Sequence, residues 1–156
     1  MSRENVFADD GGWDIDAETM QIRGRMVGKR SGAEQLGATV YELAPGASGF
    51  NLHAHYGMEE LFVVLSGRPT LRDGTTDQEL SPGDVVSCLP GLRGLHTFAN
   101  RTDEPARLLA VSNKVEPEVV LYPEIGKVGV ATRSPFVKPE GEDQGIVAMF
   151  DVPNPR

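Results

Sequence analysis

The chain has 156 residues, 39% of them hydrophobic, with 18 glycines and 11 prolines. That length suits one compact domain able to bury its own core, and that density of turn residues favours an all-β chain with short connections. The net charge of −8 excludes the basic face that nucleic acid or anionic lipid would require, so neither is expected as a partner.

Residues 1–19 are polar, acidic and glycine-containing, and read as an N-terminal arm. The opening stretch MSRENVFADDGGW lacks the apolar core of a signal peptide, and no apolar run in the chain reaches 18 residues. Cys88 is the single cysteine, so no internal disulfide is possible. A reduced, cytoplasmic setting is the simplest reading.

From Met20 to Lys114 the pattern is one of short apolar runs separated by turns, and predicts a β-barrel core over 20–114. QLGATVYELA (35–44) is followed by the turn cluster PGASG. ELFVVLSG (60–67) is a strand closed by glycine. PTLRDGTTDQEL carries Asp73-Gly74, a hairpin turn between two short strands. DVVSCL (84–89), LHTFAN (95–100) and ARLLAVSNK (106–114) complete the series. ELFVVL is apolar on both faces, so one face lines the barrel and the other needs a cover, from a second layer or a partner subunit. A homodimer is the expected state.

Beyond Lys114, residues 115–156 form a C-terminal extension that packs on the barrel or on a partner subunit. One helical turn is expected around Pro117 to Leu121. GIVAMFDV (145–152) reads as an edge strand or as an arm laid on a neighbour.

All three histidines of the chain lie in this core: His53, His55 and His96. A strand has a period of two, so His53 and His55 share a face, about 7 Å apart along the chain. After the turn Tyr56-Gly57-Met58, the carboxylate of Glu59 or Glu60 can return beside them. His96 shares a face with Phe98 and Asn100. Each part has an ordinary structural explanation: a chance pair, a solvated strand start, a hydrogen-bonded core histidine. Neutral imidazole and carboxylate together are nevertheless a ligand set for Fe, Mn, Ni, Cu or Zn.

The run HxHx4E, then six residues and glycine, is met by His53, His55, Glu60 and Gly67. After 15 residues come Gly83-Asp84, VVSCL, Pro90-Gly91, and then His96 with Asn100 four residues on. These two motifs, in this order, resemble those of the cupin superfamily, in the variant found in small single-domain bacterial cupins. There are departures. The glycine expected six residues before the first histidine is displaced, with Gly46 and Gly49 nearest, and Gly83 to Pro90 is one residue longer than the usual pattern. The resemblance implies a jelly-roll barrel, the double-stranded β-helix, with extended N- and C-terminal arms. It also implies one divalent transition metal held inside the barrel by His53, His55, Glu60 and His96. Glu60 is chosen over Glu59 because it stands at the motif spacing from Gly67, and because Glu60, Phe62 and Val64 share a face.

Such a site serves dioxygenases, isomerases and lyases, and also proteins that only bind, and the fold does not choose among them. A metalloenzyme acting on a small organic molecule, of dioxygenase or isomerase type, is the expected function. A non-catalytic metal-containing binding or sensing module is the alternative. No catalytic residue is singled out. Phe50, Met58, Phe62, Val64, Cys88 and Phe98 are candidates for an apolar pocket lining, with core packing the simpler explanation of each. Arg93 is a candidate contact for an anionic substrate, with a solvated loop position the simpler one. Because ligand imidazoles must be neutral, metal affinity is expected to fall below about pH 6.5.

Overall fold

The computed structural model describes residues 2–8, 12–132 and 147–152. Among them the regular structure is mostly strand, with little helix. The first strands are β1 (Ile15–Ala17), β2 (Ile22–Arg25) and β3 (Leu36–Leu43), with one short helix, α1 (Val27–Ser31), before β3. Then follow β4 (Ala54–His55), β5 (Glu60–Ser66), β6 (Thr70–Arg72), β7 (Asp77–Glu79), β8 (Val85–Cys88), β9 (Thr97–Ala99) and β10 (Ala106–Asn113). The last three are β11 (Glu118–Tyr122), β12 (Lys127–Ala131) and β13 (Val147–Asp151). They form a six-stranded sheet in the order β1-β2-β3-β10-β5-β8, a four-stranded sheet β13-β12-β11-β4, and a three-stranded sheet β7-β6-β9. This is a jelly-roll barrel, as the turn-rich, strand-length pattern predicts.

The hydrophobic alternation sets which way each strand faces. Phe62 and Val64 of β5, Leu108 and Ala110 of β10, and Leu43 of β3 turn inward and pack with Phe98 of β9 in one buried cluster. On the outer side of the same sheet Leu61 pairs with Ser87, and Val63 with Val85. Leu61 and Val85 are exposed, so the second apolar face of β5 is open in the single chain.

Two residues close the barrel. Asn100 is 1% exposed and its amide donates to the carbonyls of Leu43, Ala44 and Glu104, while its oxygen accepts from the backbone and hydroxyl of Thr102. It clips the end of β3 to the loop before β10. Gly49 has φ +82°, and a Cβ there would sit 1.7 Å from the Phe98 carbonyl oxygen. Only glycine permits that approach. The displaced motif glycine thus has its own task four residues before His53.

One expectation is corrected. Residues around Pro117 to Leu121 do not form a helical turn; Glu118–Tyr122 is a strand, β11, and the 3-10 turn comes after it, at Pro123–Ile125. The β-branched Val119 and Val120 suit a strand, and β11 finds ladder partners on both sides, in β12 and β4. β13 takes the edge of that sheet, antiparallel to β12. Residues 145 and 146 of the run GIVAMFDV lie outside the described residues. At the other end, buried Arg25 donates to the carbonyls of Asn5 and Ala8, each at 2.7 Å, which lays residues 5–8 against β2.

Candidate metal centre

The histidines are placed by backbone pairing. His53 and His96 face one another in an isolated antiparallel bridge, with N–H to O distances of 3.0 and 2.9 Å. This single bridge links the four-stranded and three-stranded sheets. His55 is paired with Val120 of β11, and its carbonyl accepts from Gly91 N–H at 2.7 Å. The loop before His96 turns sharply because Gly94 lies against Leu89, where a Cβ would come within 1.9 Å of the Leu89 carbonyl oxygen. His96 itself is 2% exposed, deep in the barrel.

The rings converge. His53 and His96 have centroids 4.5 Å apart, and His53 and His55 5.0 Å. Glu60, at the start of β5, turns inward and puts its Oε2 3.3 Å from His55 Nε2 and 3.2 Å from His96 Nε2. His53, Glu60 and His96 each offer a ligand atom within 4.8 Å of the others, and these three can hold a metal ion. Glu59 is exposed, and its backbone N–H donates to the Asn113 side chain.

The second nitrogen of each ring fixes the first. His53 Nδ1 lies 2.8 Å from the Asn51 carbonyl oxygen, and His96 Nδ1 2.7 Å from that of Gly94. A carbonyl only accepts, so both Nδ1 atoms carry the proton. His55 Nδ1 faces Glu118 Oε1 at 3.4 Å, within ion-pair reach though outside hydrogen-bond geometry. All three rings therefore turn Nε2 inward. Glu60 Oε2 and His96 Nε2 are buried and make no well-formed hydrogen bond, although they are 3.2 Å apart. They aim at a shared point beside them rather than at each other. Two imidazole nitrogens, of His53 and His96, and a carboxylate oxygen of Glu60 are a donor set that suits a divalent transition metal, so these residues fit the group, with His55 beside them at Glu60.

Charge is divided unevenly here. Burial pushes His53 down to about 3, helped by positive charge on His96 and His55. Burial also opposes charge on His96, but contacts with Cys88 and Glu60 outweigh it and raise that ring to about 10. Burial would raise Glu60, yet the close contact with His96 and the charge of the surrounding histidines hold it below its usual range. The barrel thus pulls His53 and His96 in opposite directions from a free imidazole. Tyr41 is pushed up by burial and by the Glu60 charge, so its hydroxyl keeps its proton.

The cluster borders a cavity of about 640 Å³. Phe50, Met58, Phe62 and Phe98 line it, although core packing was the simpler expectation for each and Phe62 and Phe98 also join the core cluster; Val64 and Cys88 belong to that core and not to the lining. Arg93 is exposed and does not reach the cavity. Glu118 and Tyr122 were missed. Both stand on β11, on the face shared with Val120, and Tyr122 stacks on His53 with centroids 5.9 Å apart. Reading 118–122 as a strand would have put Glu118, Val120 and Tyr122 on one face and shown a carboxylate turned inward.

Residues 39–112 match the family model described as a cupin domain. A search of curated proteins matched none. Among solved structures, a protein from Acidithiobacillus ferrooxidans provisionally described as a sugar phosphate isomerase is 24% identical, with 83% of this chain and 76% of that chain covered and a TM-score of 0.70. A cupin described as a sugar phosphate isomerase from Silicibacter pomeroyi is 27% identical, over 80% of this chain and 83% of that one, with a TM-score of 0.68. The polyketide cyclase RemF from Streptomyces resistomycificus is 24% identical, over 76% and 83%, with a TM-score of 0.58.

Proposed function

The chain belongs to the cupin superfamily, with its cupin domain at residues 39–112, and on that premise we propose that His53, His55, Glu60 and His96 hold one divalent transition metal in an enzyme that acts on a small organic molecule. The observation that carries this is the tautomer set. Each Nδ1 faces an acceptor, so three Nε2 atoms turn toward the buried Glu60 carboxylate. Ligating histidines are oriented in this way, by acceptors behind the ring.

An ion held there supplies Lewis-acid polarisation of a substrate oxygen or, if it is redox-active, oxygen chemistry. The chain's own residues do the rest. Tyr41, protonated and lining the cavity, is a hydrogen-bond donor for a substrate oxygen as charge develops on it. Phe50, Phe62 and Phe98 keep water from the cluster and so strengthen its electrostatics. The name of the Silicibacter neighbour, an isomerase, supports proton-moving chemistry over oxygen insertion.

The test is elemental analysis of the purified chain beside His96→Ala, Glu60→Ala and Glu59→Ala. About one metal per chain is expected in the parent and in Glu59→Ala, and a large loss in the other two. Retention in Glu60→Ala with loss in Glu59→Ala would mean that the wrong carboxylate was chosen. Oxygen uptake by the loaded protein on a panel of diols and keto acids would move the assignment to a dioxygenase. Bound metal without turnover on any of them would leave a binding module.

A further inference from the structure

Resting on the reading that the barrel interior is the small-molecule site, we infer that this cavity takes a largely apolar, uncharged, ring-bearing molecule with one polar end turned to the histidine–glutamate cluster, and not a phosphorylated sugar.

Three observations carry it. The first is the wall. Between the cluster and the mouth the cavity is bounded by Tyr41, Phe50, Met58, Phe62, Phe98 and Leu108. Its volume of about 640 Å³ falls inside the range of sites that enclose most of a ring-bearing ligand. The lining hydroxyls are those of Thr39, Tyr41, Thr97, Ser112 and Tyr122, set among mostly apolar side chains, and that of Thr97 is already committed to the Phe50 carbonyl at 2.6 Å. A polyol would leave most of its own hydroxyls unpaired, at a cost of roughly 1–3 kcal/mol each.

The second is charge. Among the described lining residues the lysines are Lys29 and Lys114, both exposed, and Lys114 Nζ donates to the Ala33 carbonyl at 3.2 Å. No arginine is among the described lining residues. The lining carries carboxylates instead: buried Glu118, with exposed Glu116 at the rim, while Glu60 sits against His55 and His96 beside it. A phosphate dianion needs an arginine fork or a cradle of backbone N–H groups, and would here be desolvated beside two buried carboxylates.

The third is the entrance. Leu36, Ile125, Val147 and Met149 border the cavity and are each about half exposed. Scattered apolar side chains on a surface mean little, but four around one opening form a patch that an apolar solute covers as it enters.

The test compares equilibrium binding of 2-acetyl-1-naphthol, fructose 6-phosphate and inorganic phosphate to the full chain, with metal content measured on the same samples. Saturable binding of the naphthol is expected, with fructose 6-phosphate at least tenfold weaker. Met149→Lys, which places a cation on the cavity side of β13, is expected to weaken the naphthol about tenfold. Phe150→Lys, exposed and absent from the lining, is expected to leave it unchanged. Tighter binding of fructose 6-phosphate or phosphate, no naphthol binding to metal-loaded chain, or equal effects of the two variants would each overturn the inference. Naphthol binding to a chain that takes up no metal would keep it and remove the metal reading instead.

Discussion

Glu118 offers the sharpest test of how the centre is held. Its Oε1 accepts from the backbone N–H groups of Tyr56 and Gly57, at 3.1 and 3.3 Å, and faces His55 Nδ1 at 3.4 Å. One buried oxygen thus fixes the turn after His55 and the orientation of its ring. Glu118→Gln keeps an oxygen for the two N–H groups but removes the charge facing the imidazole. We expect metal affinity to fall about tenfold, the lower end for a residue behind a ligand. Glu118→Ala leaves the Gly57 N–H without its acceptor and removes the charge facing His55 Nδ1 in a site that is 6% exposed, while the Tyr56 N–H keeps the Val119 carbonyl at 2.9 Å. It is expected to lower affinity about 100-fold and stability by roughly 2–4 kcal/mol. Competition against a calibrated chelator gives the first quantity and urea denaturation of metal-free protein the second. Full metal affinity in both variants would refute the reasoning, because His55 would then either need no orientation or not be a ligand.

Further outcomes concern the frame around the site. Glu42, buried on β3, is bonded by Arg23 and by Arg107 Nε at 2.8 Å; burial opposes its charge, but these hydrogen bonds and charges outweigh it and hold it below its usual 4.5. A depressed carboxylate stabilises the fold above its unfolded value and loses that contribution as pH falls through the folded one. Glu42→Gln should therefore cost about 1–2 kcal/mol in urea denaturation at pH 7, with the gap to the parent closing below about pH 4.5. A gap independent of pH would contradict it. Gly49→Ala should lower the melting temperature by many degrees or prevent folding, given the 1.7 Å approach to Phe98; a neutral result would mean that the turn has another conformation. The exposed Leu61 and Val85, with Val63 between them, lead us to expect a homodimer by light scattering. Leu61→Lys with Val85→Lys should then give a monomer, and a parent chain that is already monomeric would rule the dimer out.

Periodicity made much of this legible. Glu60, Phe62 and Val64 share a face by strand alternation, and the structure turns all three inward. Alternation says nothing about depth along the barrel, however. Phe62 reaches the cavity, Glu60 meets His55 and His96 beside it, and Val64 lies in the core cluster and not on the lining. The same limit applies to Cys88, which is inward but behind the wall. His53 and His96 could be suspected of sharing a site only through the two motifs, because their bridge joins segments far apart in the chain. Glu118 was hidden by a helical reading of a segment whose β-branched Val119 and Val120 already suit a strand and whose ladder partners, β4 and β12, complete it. Met149 at the entrance depended on β13 pairing with β12, which local sequence does not encode.

The histidine bridge also has a mechanical meaning. Between the described strands of the four-stranded and three-stranded sheets, His53–His96 is the isolated bridge, and β11 reaches β4 through only two paired residues, Val120 with His55 and Leu121 with Ala54. This is a short seam, and opening it would swing β11 to β13 away as a flap. A ligand that draws His53, His55 and His96 together bolts the seam shut. Its arrival would be felt as slower amide exchange along β11 and β12, in residues that never touch it.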